Sequence, residues 1–125
     1  MNGGTNAVNS IKDVMGDKGV TKFCHIFFNN YLDKGNVYAS KEEKIELLAK
    51  CIFEYYSVPF DRNKIQTLQD ANSEYSLAQM LFEMILSVYG VEYIPQNQKI
   101  IMEEFFNEKR DMLHNYGLSY WQTSA

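Results

Sequence analysis

Two cysteines and two histidines are the residues of this chain best suited to metal binding or nucleophilic chemistry, and their spacing decides what they can do. Asp111-x-x-His114 places a carboxylate and an imidazole on neighbouring positions of one helical face, a usable ligand pair. A di-iron bundle needs two acidic-x-x-His pairs and further inward glutamates. His25 has no acidic residue three or four positions before it. Cys24, His25, Cys51 and His114 lack the short ligand spacing of structural zinc sites. Cys24 and His25 are adjacent, so on a helix they point about 100° apart and cannot act as a nucleophile–base pair. No G-x-S-x-G, Walker, H-E-x-x-H or dinucleotide fingerprint is present. The expectation is therefore no metal, no cofactor, no catalytic residue and no enzyme.

The pair Gly16-Asp17-Lys18-Gly19 offers a different chemistry, with Lys12 and Lys22 close in sequence. The stretch from Val14 to Phe23 resembles the Gly-x-x-Gly loop of the KH family, which clamps single-stranded nucleic acid between two helices. That resemblance implies phosphate contacts by Lys12, Gly16, Lys18, Gly19 and Lys22. KH domains place an apolar residue three positions after the second glycine, where this chain has Lys22, and no strand pattern precedes the pair. The favoured expectation is a turn, with Gly16 capping a first helix and Gly19 relaxing the entry into a second. A helical nucleic-acid-associated regulator stands as the alternative.

Aromatic residues are more informative. "FEYYSVPF" places Phe53, Tyr55, Tyr56 and Phe60 around a helix end, and "NYGLSYWQ" adds Tyr116, Tyr120 and Trp121. Either the tail folds back so that Trp121 covers the core, or these rings form a recognition surface. Tyr and Trp, apolar with a polar tip, are enriched at interface hot spots. Tyr55, Tyr56, Phe60, Tyr116, Tyr120 and Trp121 are thus the candidate partner-binding residues, for another protein or a second copy of this one. Acidic faces built from Glu42, Glu43, Glu46 and Glu54, and from Glu103, Glu104, Glu108 and Asp111, would imitate a phosphate row. The interspersed Lys44, Lys50, Lys99 and Lys109 dilute that field.

The elements that position these residues are helical. Apolar residues recur at three- and four-residue spacing nearly throughout. The spacing predicts a helix over 5–15 with Val8, Ile11 and Met15 on one face. A second, over 20–32, carries Phe23, Cys24, Phe27, Phe28 and Tyr31, with Gly35 as its cap. Ser40 and Glu43 form a capping box for a third, whose stripe is Ile45, Leu48, Ile52 and Tyr55, widened by Leu47 and Cys51 and ended before Pro59. A short helix after Asp61 turns Ile65 and Leu68 inward. A fifth, with Ser76 and Gln79 as its capping pair, is apolar almost all round over 76–89 and belongs at the centre. After Gly90 and the extended "VEYIP", a last helix over 96–116 points Ile101, Phe105, Met112 and Tyr116 inward.

The expected fold is all-α, a single compact domain over 1–125 with five to six helices around the buried 76–89 helix and short flexible ends at 1–4 and 122–125. A chain of 125 residues can bury such a core without disulfides or metals. The formal net charge of −4 argues against general affinity for nucleic acid. No membrane span or signal-peptide pattern is read, and the cysteines are expected as reduced thiols, so a cytoplasmic protein is expected. Ten lysines against two arginines suggest AT-rich coding DNA, as in a phage or mobile element of a low-GC bacterium. The expected function is a small non-catalytic adaptor or inhibitor that occupies a surface of a partner macromolecule.

Overall fold

A computed structural model of the chain describes Val14 and residues 16–34 and 40–115. The expected helix over 5–15, its residue Lys12, the Gly35 cap and the tail with Tyr116, Tyr120 and Trp121 lie outside the described residues, apart from Val14, which is buried. Six α-helices follow in order: α1 Asp17–Lys34, α2 Lys41–Tyr55, α3 Arg62–Leu68, α4 Glu74–Ser87, α5 Gln96–Glu108 and α6 Arg110–Asn115. No strand occurs among the described residues, so the fold is all-α, and "VEYIP" is an irregular connector that buries Ile94.

α1 starts earlier than the spacing suggests. The Val20 amide donates to the Gly16 carbonyl at 2.9 Å, which makes Gly16 the residue entering α1 and Asp17-Lys18-Gly19 its first turn. Asp17 in that turn complements the helix dipole. Val20, Phe23, Cys24, Phe27, Phe28 and Tyr31 then form a buried face. This face packs against α2, α4 and α5.

α2 begins at the expected capping box. The Glu43 amide donates to Ser40 Oγ at 3.1 Å, and the Ser40 amide donates to Glu43 Oε1 at 3.2 Å. These bonds satisfy amides that a helix start leaves without partners. Its buried face is Lys44, Ile45, Leu48, Ala49, Ile52 and Phe53, and Tyr56 at its C-cap continues it. The expected stripe was wrong at its edges: Tyr55 is exposed, Leu47 is exposed and Cys51 is half-buried. Ser57 takes a left-handed φ of 59°, and the Val58 amide donates to the Phe53 carbonyl at 2.8 Å, so the chain turns sharply before Pro59.

Asp61 caps α3 through its Oδ1, which accepts from the Asn63 amide at 2.8 Å, and Ile65 and Leu68 face the core. α4 is capped by Ser73, whose Oγ accepts from the Ser76 amide at 3.0 Å, and not by the expected Ser76–Gln79 pair. Leu77, Ala78, Leu81, Phe82, Ile85 and Leu86 are all fully buried. Met80 and Met84 are only half-buried and Val88 is exposed, so α4 has an outer edge after all. Gly90 reverses the chain with φ 83°, a conformation glycine adopts without strain. α5 turns Gln98, Met102 and Phe106 inward. Ile101 and Phe105 are half-buried and Met112, on α6, is exposed, which corrects the expected stripe by one position. A break at Lys109 separates α5 from α6.

Rings knit the centre together. Phe23 lies 4.7 Å from Phe82 and 6.0 Å from Tyr56 between centroids, and Phe27 meets Phe106 edge-on at 5.4 Å. Contacts of this kind add to the burial energy of each ring.

Candidate functional site

The seam between α1 and the end of α2 holds candidates from two different expectations. Tyr55 and Tyr56 are neighbours with opposite fates. Tyr56 is 3% exposed and packs on Phe23, which makes it a core residue and removes it from the candidate surface. Burial pushes its phenol well above the ordinary range, with Tyr55 and Cys24 nearby adding to the effect. Tyr55 is 43% exposed, meets Tyr56 edge-on at 5.0 Å, and carries the Lys22 ammonium 5.7 Å above its ring centroid. Lys22, a candidate for phosphate contact, therefore sits on a candidate for protein contact. Tyr55 thus rests against Tyr56 on one side and meets Lys22 on another, with the rest of the ring open to solvent.

On α2 the exposed apolar groups align. Leu47, Cys51 and Tyr55 are spaced four residues apart and form one row along the outer surface of the helix. The sequence spacing sets Leu47 and Cys51 at the margin of the core stripe, and both belong instead to this row. The charged residues beside it are Lys50 and Glu54.

Phe60 lies just beyond, 48% exposed. The Lys50 ammonium and the Arg62 guanidinium stand 5.4 and 5.5 Å from its ring centroid. Glu46 holds both cations, Lys50 at 3.1 Å and Arg62 at 3.9 Å. These ion pairs are solvent-exposed and add little stability. Both cations therefore lie close to the Phe60 ring, which stays exposed.

Gly16 stands at a bend just ahead of α1, with Val14 helical before it, as the expected cap between two helices requires. Lys18 and Gly19 belong to the first turn of α1, with Gly19 buried and Lys18 exposed, so Gly19 lies inside the helix rather than in the turn before it.

Two depressions between helices lie among the described residues, beside a third along α1 lined by Asp17, Lys18, Thr21, Lys22 and His25. One, between α1 and α5, is lined by Thr21, His25, Glu104, Phe105, Glu108 and Lys109. It is shallow, its His25 is exposed and stacks edge-on to Phe105 at 5.0 Å, and Lys109 lies over Phe28 and Phe105. Among the described residues no group of three His, Cys, Asp or Glu side chains could hold a metal ion. The other, at the start of α4 and end of α5, is lined by Glu74, Tyr75, Glu103, Phe106, Asn107 and Arg110. Three of its polar residues, Glu74, Asn107 and Arg110, are engaged within the protein. Tyr31 donates to Glu74 Oε2 at 3.1 Å, and Arg110 Nη2 donates to Asn107 Oδ1 at 2.7 Å.

Lys44, expected among the lysines of a solvated face, is buried. It is 5% exposed, with its ammonium 5.6 Å from the Tyr31 centroid. Burial lowers its pKa, and the Glu74 carboxylate partly restores it. The Lys44, Tyr31 and Glu74 group ties α1, α2 and the start of α4 together.

Cys24 is fully buried and its thiol is pushed up to about 12 by burial, so it is protonated and unreactive at neutral pH. Both cysteines are free thiols. No helix among the described residues is long and apolar enough to cross a membrane. Comparison with protein-family models, with curated proteins and with solved structures finds no match to the chain.

Proposed function

We propose that this chain is a small non-catalytic protein-binding module, of the adaptor or inhibitor type, that occupies a partner surface with the outer face of α2 and the adjoining Phe60. The observation that carries this reading is the pair of exposed rings with cations against them. Tyr55 lies under Lys22, and Phe60 lies near Lys50 and Arg62, both rings still open to solvent. Leu47 and Cys51 extend the apolar row beside them. Apolar rings with a charged rim are the usual anatomy of a docking patch. The two free thiols suit a reducing compartment such as the cytoplasm.

The test compares the wild-type chain with a Tyr55→Ala, Phe60→Ala double variant, each immobilised and used to capture proteins from the native host. Both positions are exposed, so the variant should melt close to wild type while losing the captured partner. Undiminished capture by a variant of unchanged melting temperature contradicts the proposal.

A further inference from the structure

We infer that the partner of the α2 face is a second copy of this chain, docked antiparallel about a two-fold axis that passes beside Cys51. This rests on the reading of that face as a protein-docking surface and names its occupant. The row is symmetric about its centre, since Leu47 lies four residues before Cys51 and Tyr55 four residues after it. Reversing one helix against another therefore sets Leu47 of each copy against Tyr55 of the other, and Cys51 against itself. Such isologous pairing is what a two-fold interface requires.

The flanking charges obey the same symmetry. Lys50 lies one residue before the axis and Glu54 three residues after it. In the reversed copy Glu54 falls two residues, about 3 Å along the axis, from Lys50 of the first. Helical side chains lean toward their own N-terminus, so in an antiparallel pair these two lean toward each other. Glu54 is exposed and makes no ion pair among the described residues. Lys50 has an exposed pair with Glu46 and a position over the Phe60 ring to exchange. The two Lys50 residues also fall two positions apart, but they lean away from each other while each leans toward the other copy's Glu54.

Geometry at the axis gives a direct reporter. Helices packed about 8–10 Å apart, with Cα atoms about 2.3 Å from each axis, bring facing Cα atoms to about 3–5 Å. That range overlaps the separations of about 4.4–6.8 Å found in disulfides. Cys51 is half-buried in the isolated chain and Cys24 is fully buried, so Cys51 is the thiol able to join two copies.

The experiment is sedimentation of the purified chain across a concentration series, with diamide cross-linking in parallel. Diamide takes up the two protons and two electrons released when two Cys51 thiols join. The proposal expects a species of twice 14.6 kDa, a disulfide-linked dimer lost on Cys51→Ser, and monomer from Leu47→Glu at unchanged melting temperature. Lys50→Glu should weaken association by about tenfold, and the added Glu54→Lys should restore it, because a double swap is again self-complementary. A chain that remains monomeric at millimolar concentration overturns the proposal. So does a dimer indifferent to Leu47→Glu and to the charge swap. A monomer that still captures a different protein through Tyr55 and Phe60 would leave the binding-module reading standing and remove only the second copy.

Discussion

The hydroxyl of Tyr56 is buried with no hydrogen-bond partner among the described residues, and its removal should stabilise the protein. Burying an unpaired hydroxyl costs about 1–3 kcal/mol, while the ring of Tyr56 packs on Phe23 and is retained in phenylalanine. Tyr56→Phe should therefore raise stability by about 1 kcal/mol, or roughly 3–5 °C in melting temperature for a chain of this size. Tyr31→Phe is the internal control, because it removes a hydrogen bond to Glu74 and should destabilise by about 1–2 kcal/mol. Alkaline titration supplies a second readout. The Tyr56 pKa is raised in the folded state from an ordinary value of 10.0, so the folded chain holds this proton more tightly than the unfolded one. Its contribution to stability is full below pH 10 and is lost as pH rises above it. Tyr56→Phe should shift the alkaline unfolding midpoint upward. Both are measured by circular dichroism during thermal and pH melts. A Tyr56→Phe variant that melts clearly below wild type would refute the reasoning, since it would mean the hydroxyl has a stabilising partner.

Three further outcomes follow from the same geometry. Tyr56→Ala should cost about 3–5 kcal/mol by emptying a core position, whereas Tyr55→Ala should change the melting temperature little, and thermal melts of the pair distinguish core from surface. Gly90→Ala should cost about 1–2 kcal/mol in urea unfolding, because φ is 83° and no neighbour lies within 4 Å of an added Cβ, so backbone strain alone acts. Ser40→Ala should cost about 1 kcal/mol through loss of the capping box, read as a lower urea midpoint.

The helices were legible in the sequence wherever local chemistry decides them. Ser40 and Glu43 announce α2, Asp61 announces α3, and the ring-rich face of α1 follows from spacing. The misplacement on α2 has a geometric cause. A stripe continued by threes and fours drifts, while an α-helix advances about 100° per residue. Starting from Ile45, that rotation puts Tyr56 within about 20° of the starting direction and Tyr55 about 80° away, so the arithmetic itself selects Tyr56 for the core. On α5 the spacing is right and the starting position is off by one, with Met102 and Phe106 inward in place of Ile101 and Phe105. Lys44 was hidden for a different reason, because its burial depends on Tyr31 and Glu74 from other helices. The exposed rings were half visible. Tyr55 and Phe60 stand out as aromatic residues near a helix end, but Lys22 lies far away in sequence and meets Tyr55 only after α1 packs on α2.

The claim that the outer face of α2 is the docking surface is tested most directly by lysine-reactivity footprinting of the chain, free and in complex with its captured partner. Lys22 and Lys50 border the rings, whereas Lys99 and Lys109 lie on α5 and at its end. The account predicts that complex formation protects Lys22 and Lys50 and leaves Lys99 and Lys109 as reactive as before. Protection of Lys109 beside His25, with Lys22 and Lys50 unchanged, would place the partner on the α1–α5 depression and contradict it.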